Sequence, residues 1–503
     1  MPTPTAASRY FLLDDARTCS TFELLQTQLI FLRDRGIDGV IWHFSDDQGC
    51  RIRFESVPEI GETPSFSVEQ VRQLVRFARN IGLTLIPELA SLGHSRFITR
   101  LPQFEHLNEN DGPYSGMCPV HAQTREVLAA LLRETIELFD APAIHVGMDE
   151  VEIGQHPLTA AALKNHSVAE LLADHLCFLR QIVVEDAGRE MWMWGDGLLN
   201  SPELMERTPK DIVVCNWQYR PAADVATTRL LLDAGFDVVP SSAILSHDQT
   251  LFPSNAYALQ NIRTMRRHDA DMTSRGRIRG HLVTTWIPCR SIGEAQWLGW
   301  HLAADLLADP ERHDQAAAIQ TFGQDFYGLE NLDQWQAICD GLLNNAPQRK
   351  EWLRVVKLDL DDIAEPQADR IIESAELWQV SSHQLSTLRP RVRKNAIAFE
   401  AFQLLFELLE ESYSAARYLL EPAIDPIEHR HTLLALIKRR KRLLDALNRS
   451  WDREHFANDP AKTQPVIHFF RDDHLLITVQ DGLNALHRHL ANVPAPLLGA
   501  DVA

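Results

Sequence analysis

Two adjacent carboxylates, Asp149 and Glu150, stand just after a short apolar run at residues 143–146. The run has the length of a buried strand. An acid side chain inside a sheet is costly unless it is paired, so two acids at a strand end favour a position that faces a cleft. In a parallel barrel, catalytic side chains collect at the carboxyl ends of the strands. This pair is therefore the first candidate for acid–base chemistry, with an ordinary solvated loop as the alternative.

The strand before the pair is one of eight β-type runs that alternate with helical patterns. The runs are residues 10–14, 39–44, 83–88, 143–147, 190–194, 211–217, 236–240 and 281–286. This alternation predicts an α/β fold, a (β/α)₈ TIM barrel, for which about 250 residues suffice. An open doubly wound sheet is the alternative. No G-x-G-x-x-G follows the first run, so the sequence carries no dinucleotide-binding fingerprint there.

Polar or aromatic residues stand at nearly all of the predicted strand ends. They are Asp14, Asp15 and Arg17 after the first run; His43, Asp46, Asp47 and Gln48 at the second; Glu88 and His94 at the third; His145, Asp149 and Glu150 at the fourth; and Trp194, Trp217 and Trp286 at the fifth, sixth and eighth. Each has a plain structural explanation by itself, as core or turn. Together, at one end of one barrel, they predict a single polar cleft walled by aromatic rings.

Beyond about residue 307 the pattern changes to long helices, which predicts a barrel over residues 1–310 and a C-terminal α-helical region over 311–503. A stripe of large apolar residues at spacings of three and four marks one predicted helix at 391–420. The stripe is Phe399, Phe402, Phe406, Leu409 and Tyr413. Such a stripe must be buried, against the barrel, within the helical region or against another subunit, so a homodimer stays open.

Composition and charge exclude some classes of binding partner. A net charge of −20 argues against nucleic acid and anionic membranes, which both need a basic face. The basic run at 438–442 is accordingly interpreted as a charged helix face. No run has the length of a membrane span, and the N-terminal residues lack the pattern of a signal peptide. Seven cysteines occur singly, as expected of reduced thiols, so we predict a cytoplasmic location.

Four motifs resemble those of glycoside hydrolase family 20, the β-N-acetylhexosaminidases, over about residues 9 to 300. The family's His-x-Gly-Gly-Asp-Glu is similar to His145-Val-Gly-Met-Asp-Glu150. Its His-Leu-Thr/Ser-Asp-Asp-Gln is similar to His43-Phe-Ser-Asp-Asp-Gln48, and its Pro-Gly-His to Leu92-Gly-His94. Its Leu-Asp-x-x-Arg falls on Leu13-Asp-Asp-Ala-Arg17.

The resemblance implies exo-acting hydrolysis of a terminal β-linked N-acetylhexosamine, with no cofactor and no metal. The substrate's own 2-acetamido oxygen is then the nucleophile, and the anomeric configuration is retained. Asp149 would hold the amide, and Glu150 would act as acid and then base. Asp46 and His94 would form a relay behind Glu150. The implied substrate-binding residues are Arg17, His145, Trp194, Trp217 and Trp286.

The sequence also departs from the family. Met148 replaces the second glycine of the signature, a likeness to the hexosaminidase D branch. Residues 241–248 contain no tyrosine where the family carries one, and Trp286-Ile-Pro288 replaces Trp-Gly-Glu. The small domain that usually precedes the barrel is missing from the sequence. These losses leave the choice between N-acetylglucosamine and N-acetylgalactosamine open, and the likeness to the hexosaminidase D branch favours the latter.

Two other functions compete with this one. A sugar-binding barrel without activity would keep the tryptophans and lose the acids, whereas Asp46, His94, Asp149 and Glu150 are all present. A metal-dependent barrel hydrolase would use His43, His94 and His145, because three histidines at three strand ends can hold zinc.

Overall fold

The structure is a computed structural model and describes residues 8–61, 64–110, 116–246, 255–267, 274–455 and 474–493. Its centre is a closed barrel of eight parallel strands in sequence order, with the last paired to the first. The strands are β1 Ser8–Asp14, β2 Gly39–His43, β3 Thr84–Glu88, β4 Ala143–His145, β5 Glu190–Trp194, β6 Val213–Trp217, β7 Asp237–Leu245 and β8 Gly280–Thr285. The predicted (β/α)₈ barrel is confirmed.

Four strand ends differ from the predicted ones, and for β2 the difference is a single residue, since it ends at His43. Strand β7 continues to Leu245 with a shift of register against β8, and residues 247 and 248 of the segment without tyrosine lie outside the described residues. Strand β4 stops at His145, so the signature turn begins at once. Strand β8 ends at Thr285, which places Trp286 in the loop that follows.

Large side chains fill the inside of the barrel. Trp192 and Trp194 lie there among aliphatic residues of the other strands, and the ring of Tyr10 packs edge-on against Trp192 at 5.1 Å. The interior is therefore a packed core rather than a pore, and any chemistry belongs to one end of it.

The helices that connect the strands follow the expected signals. Helix α2 begins at a capping box in which Ser67 and Gln70 satisfy each other's backbone N–H groups. The helices from the barrel are α1 Phe22–Asp34, α2 Val68–Asn80, α3 Arg96–Thr99, α4 Ala122–Phe139, α5 Pro157–Ala162, α6 Val168–Arg180, α7 Asp196–Asn200, α8 Pro202–Arg207, α9 Val225–Asp233, α10 Ala256–Arg266 and α11 Trp297–Ala308. None of the described helices is both long enough and apolar enough to span a membrane.

A C-terminal helical region follows the barrel, as predicted. Its helices are α12 Gln315–Tyr327, α13 Leu332–Asn345, α14 Arg349–Lys357, α15 Glu365–Leu388, α16 Ala396–Leu420, α17 Pro426–Glu454 and α18 Leu475–Asn492. The apolar stripe of α16 is buried within this chain, where Phe399 packs on Tyr327 and Trp335, and Trp378 packs on Phe406.

The helical region is attached to the barrel by aromatic rings and by one buried acid. Phe326 of α12 packs on Phe31 of α1 at 5.6 Å and on Trp297 of α11 at 6.3 Å. At the end of α17, the Glu454 side chain accepts hydrogen bonds from the backbone of Gly293 at 2.6 Å and of Glu294 at 3.2 Å. Gly293 and Glu294 belong to the loop after β8, so the end of α17 lies at the mouth of the barrel.

The interpretation of residues 438–442 as a charged helix face needs one correction. Arg440 is fully buried, and its guanidinium lies 2.6 Å from the carboxylate of Glu411, which is buried as well. It also donates to the carbonyl of Val356 at 2.6 Å. Because α17 packs against α16 and α18, Arg440 points inward while the other residues of the run stay at the surface. Six of the seven cysteines are buried, and Cys177 is exposed.

Candidate active site

The turn after β4, which carries Asp149 and Glu150, has unusual backbone angles. Gly147, Met148 and Glu150 all have positive φ, at 68°, 77° and 51°. A non-glycine residue rarely adopts such angles, and their clustering is typical of functional sites. Met148, which replaces a family glycine, keeps the glycine-like angle while its side chain is buried. These backbone angles therefore set the directions in which the side chains of Asp149 and Glu150 leave the turn.

The loop after β3 closes on this turn through a glycine and a histidine. A Cβ on Gly93 would lie 2.3 Å from the carbonyl oxygen of Asp149, so no other residue fits there. The next residue, His94, places Nε2 at 3.2 Å from the carboxylate of Glu150 and at 3.5 Å from that of Asp149. One imidazole nitrogen thus faces both acids.

The aspartate that contacts His94 directly is not the one predicted for the relay. His94 Nδ1 lies 2.9 Å from Asp47 Oδ2 but 3.8 Å from Asp46 Oδ2, so Asp47 is the direct partner. Asp46 instead accepts from Arg17 at 2.8 Å and lies 3.3 Å from His43 Nε2. The two aspartates are adjacent in the sequence, and the short hairpin after β2 directs their side chains to different partners.

Arg17 is held by two carboxylates. Its guanidinium donates to Asp14 and to Asp46, each at 2.8 Å. Burial by itself would lower the pKa of Arg17, but these neighbours raise it above its ordinary value. The guanidinium also lies 5.2 Å from the ring of Trp286, an arrangement of cation–π type. Arg17 is therefore a fixed cation beside the aromatic wall.

Glu88 is a functional-site residue to which the sequence interpretation assigned no role. Its carboxylate lies 2.9 Å from His43 Nδ1 and 3.4 Å from His145 Nδ1, and it accepts from Trp194 Nε1 at 2.7 Å. The barrel register explains this convergence, because Glu88 pairs with His43 on one side and with His145 on the other. Its position as the last residue of an apolar strand was the available signal.

The two histidines that flank Glu88 differ in charge. Burial acts to lower the pKa of His43, but Glu88 and Asp46 raise it to about 10, so His43 is a cation. Burial lowers the pKa of His145 to about 4, so His145 is neutral, and its Nδ1 accepts from the backbone N–H of Gly147 at 3.1 Å. Buried beneath the turn, His145 supports the turn's first residue.

The predicted tryptophans form a connected wall. Trp194 is buried and lies 5.8 Å from Trp286, while Trp217 and Trp286 are partly exposed. Trp286 Nε1 donates to the hydroxyl of Tyr219 at 2.7 Å, and the Tyr219 ring stacks on Trp217 at 5.2 Å. Tyr219 follows β6 by two residues. Its place in the wall was not predicted from the sequence, because the family carries its tyrosine in the segment that corresponds to residues 241–248. It brings a phenol to the wall from the neighbouring strand.

A sequence model described as glycosyl hydrolase family 20, catalytic domain, matches residues 8–273 of the chain. The chain belongs to glycosyl hydrolase family 20. A β-hexosaminidase of Vibrio furnissii is 25% identical over 272 residues, covering 47% of this chain and 43% of the relative. A probable β-hexosaminidase of Arthroderma benhamiae is 22% identical over 269 residues, covering 48% and 42%. This family 20 chain thus spans less than half the length of these relatives.

Solved structures show the same fold. An exo-β-N-acetylglucosaminidase from Vibrio harveyi, solved with N-acetylglucosamine, has a TM-score of 0.52 at 20% identity and covers 67% of this chain and 59% of its own. A chitobiase from Flavobacterium johnsoniae has a TM-score of 0.51 at 15% identity and covers 93% of this chain and 78% of its own. At such identities the likeness concerns the fold alone.

In the acid pair of this family 20 chain, the raised pKa belongs to Asp149 and the lowered one to Glu150, although the implied proton donor is Glu150. Burial raises the pKa of Asp149 to about 7, although His94 acts to lower it. The hydrogen bond from His94 lowers the pKa of Glu150, whose side chain is 42% exposed. Burial acts to lower the pKa of His94, but Asp149, Asp47 and Glu150 raise it well above its ordinary value. Before substrate binds, the protons therefore reside on His94 and partly on Asp149 rather than on Glu150.

The side chains that lie close enough to hold a metal ion are not the three histidines predicted for a metal-dependent hydrolase. Within the described part of the chain, one group of at least three ligand-type side chains is close enough for a metal: Asp46, Asp47 and His94, with ligand atoms within 4.8 Å of one another. His43 and His145 face Glu88 instead, so the three predicted histidines do not converge. Arg17 already neutralises Asp46, and a cation there would have to displace or face that guanidinium.

Proposed function

We propose that this protein is an exo-acting β-N-acetylhexosaminidase that removes terminal β-linked GlcNAc or GalNAc by a retaining, substrate-assisted mechanism. The observation that carries the proposal is the turn that brings the carboxylates of Asp149 and Glu150 to one imidazole nitrogen, His94 Nε2, at 3.5 and 3.2 Å. Family membership and the relatives named β-hexosaminidase support the substrate class.

The first step forms a ring from the substrate's own atoms. The acetamido oxygen attacks C1 while the bond from C1 to the glycosidic oxygen breaks, and that oxygen takes a proton from Glu150. Asp149 accepts the acetamido N–H, which pushes electron density toward the attacking oxygen and stabilises the oxazolinium intermediate. In the second step Glu150 removes a proton from water as the water oxygen attacks C1 and the bond from C1 to the acetamido oxygen breaks, which restores the acetamido group. The two inversions restore the original anomeric configuration.

Substrate binding has to move a proton for this to work. The acetamido N–H favours the ionised form of Asp149, and covering the half-exposed Glu150 with sugar favours its neutral form. Because His94 Nε2 faces both acids, it can pass a proton between them without a change in the net charge of the group. The pair therefore titrates as a coupled unit rather than as two independent acids.

The aromatic wall supplies alignment. Trp194, Trp217 and Trp286 would enclose the acetyl methyl group, so that the acetamido oxygen is held near C1. Arg17, whose guanidinium is fixed by Asp14 and Asp46, would donate to the ring hydroxyls. His145 contributes from beneath, as the buried support of the turn.

A panel of nitrophenyl β-glycosides tests the proposal. We expect hydrolysis of the N-acetylglucosaminide or N-acetylgalactosaminide and none of the matching glycosides with a 2-hydroxyl group, since the latter lack the nucleophile. A thiazoline analogue of the bicyclic intermediate should inhibit far below the KM of the substrate. A covalent adduct of a 2-fluoro sugar on Asp149 or any other carboxylate would contradict the mechanism even if the activity were found.

Location in the cytoplasm and assembly as a homodimer are further proposals. The dispersed cysteines, of which six are buried, favour a reducing compartment such as the cytoplasm. Cell fractionation would test that location. A homodimer is tested by light scattering of the purified protein over a range of concentrations.

A further inference from the structure

A third carboxylate at the acid pair has no role in the mechanism so far. Asp196 is the first residue of α7, directly after Trp194 and Gly195. Its Oδ2 accepts a hydrogen bond from the backbone N–H of Glu150 at 2.9 Å, and its Oδ1 accepts from Trp217 Nε1 at 3.1 Å. One side chain at the start of α7 therefore holds the turn after β4 on one side and the last residue of β6 on the other.

The bond to Glu150 acts where the backbone is most strained. A residue at a φ of 51° directs its N–H away from the partners that an extended strand would supply. Such an angle persists only where the surroundings over-determine it, and the preceding Met148 is itself at 77°. A hydrogen bond to an ionised acceptor is about twice as strong as one between neutral groups, so Asp196 is well suited to hold the turn.

The bond to Trp217 continues into the aromatic wall. The Trp217 ring stacks on Tyr219, and the Tyr219 hydroxyl accepts from Trp286 Nε1 at 2.7 Å. The order of contacts runs from the Glu150 backbone through Asp196 to two of the three wall tryptophans. The two ends of this chain would contact different parts of one sugar, the glycosidic oxygen and the acetyl group.

The seat of Asp196 is itself rigid. A Cβ on Gly195 would lie 2.8 Å from the side chain of Val214, and the Gly195 N–H donates to the carbonyl of Cys215 at 3.0 Å. The start of α7 is thus pressed against β6, the strand that ends in Trp217. Because the start of α7 is held in place, the two hydrogen bonds of Asp196 fix the distance between the Glu150 backbone and the Trp217 ring.

We propose that Asp196 is a positioning residue that sets the distance and orientation of the Glu150 carboxyl relative to the tryptophan wall, and so aligns the acid with the glycosidic oxygen of a sugar held by its acetyl group. This inference rests on the proposed function. It assigns Asp196 no contact with the substrate, since both of its oxygens are occupied by the protein.

Leaving-group dependence separates positioning of the acid from a general structural role. Asp196→Ala should lower kcat/KM on aryl glycosides with poor leaving groups by about 100-fold, the size expected of a misplacement near 1 Å. Substrates with activated leaving groups should lose much less, because they need little help from Glu150. Asp224→Asn is the matched control, since Asp224 caps α9 in the next barrel loop and accepts the N–H of Ala226 at 2.9 Å away from the acid pair. Its kinetics should match those of the wild type.

A double-mutant cycle tests whether Asp196 connects the acid to the wall. Trp217→Phe removes the indole donor and keeps the stacked ring, so by itself it should weaken binding of the thiazoline inhibitor and lower kcat/KM. In the Asp196→Ala background the same change should cost much less, because its partner is already gone. Additive losses would show that the two bonds act separately and would overturn the coupling.

The remaining outcomes are equally decisive. If Asp196→Ala loses the same factor on good and poor leaving groups, or if its loss follows a fall in Tm, then Asp196 is structural and the inference fails. An active wild-type protein with an unaffected Asp196→Ala variant would overturn the inference alone. A wild-type protein that hydrolyses no 2-acetamido glycoside would overturn the proposed function and this inference with it.

Discussion

The mouth of the barrel and the helical region bury charge in two different ways. In the helical region Arg440 and Glu411 form a closed pair: the Arg440 nitrogens donate to Glu411, to the Val356 carbonyl and to the Ser412 hydroxyl. At the mouth the partners are shared. His94 faces Asp47, Asp149 and Glu150, with distances from 2.9 to 3.5 Å.

The difference concerns what each group is able to do. In a closed pair each charge has one partner, so removal of either side chain would leave an uncompensated buried charge. A shared network offers several arrangements of its protons at similar energy, so a substrate can select one of them. We infer that pairing one to one serves packing of α16 and α17, and that sharing serves acid–base chemistry.

The largest effect is expected when the shared network loses its acid. Glu150→Gln should reduce hydrolysis of substrates with poor leaving groups by about 10³-fold, with a much smaller loss on activated aryl glycosides. Its Tm should stay near that of the wild type, because the side chain is 42% exposed. Stopped assays across a leaving-group series measure this, and a flat dependence would show that Glu150 is not the acid.

The closed pair should behave in the opposite sense. Arg440→Met leaves Glu411 buried without its cation and should lower the free energy of unfolding by about 3–5 kcal/mol, with little change in the kcat of the folded protein. Urea unfolding followed by circular dichroism measures the loss. The double variant Arg440→Met with Glu411→Leu should recover much of the stability, and failure to recover it would argue against a self-contained pair.

The aromatic wall lies between these two cases, since it is both packed and functional. Trp286→Ala should weaken thiazoline binding and kcat/KM together by on the order of 2–4 kcal/mol, because a large aromatic surface against the acetyl group is lost. Inhibition constants and steady-state kinetics measure the two losses. A fall in kcat/KM without a change in inhibitor affinity would show that Trp286 does not contact the acetyl group.

The smallest effect concerns the acid that joins the two regions. Burial, with the charge of Glu294, raises the pKa of Glu454 to about 8. Above about pH 4.5 the unfolded chain has lost this proton while the folded chain keeps it until about pH 8, so stability falls as pH rises through that window. Glu454→Gln keeps an acceptor for Gly293 and removes the titration. Its Tm should therefore fall less than that of the wild type between pH 5 and 8, and parallel falls would show that Glu454 does not control this loss.

Much of the protein was predictable from local pattern. The alternation of apolar runs and helical segments predicted the barrel, because a strand and a helix each carry their own period. The adjacent acids Asp149 and Glu150 and the strand-end tryptophans were found by residue type and position alone. The stripe on α16 predicted a buried face, and the structure shows that face buried within this chain.

Three features of the site depended on contacts that no local pattern contains. Asp46 and Asp47 are neighbours in the sequence, and only the hairpin after β2 decides that Asp47 meets His94. Glu88 contacts His43 and His145, which belong to two other strands. Asp196 accepts a hydrogen bond from Glu150, which lies 46 positions earlier in the sequence. Such contacts are set by the closure and register of the barrel.

The same division applies to charge. The sequence by itself determined which ionisable groups are present and which strands carry them, since residue type and periodicity are local properties. The tertiary structure alone decided that Arg440 is buried among surface cations, and that Asp149 has the raised pKa while Glu150 has the lowered one. The physical reason is that burial and the field of neighbouring charges depend on distances in space, and the fold brings together groups that lie far apart along the chain.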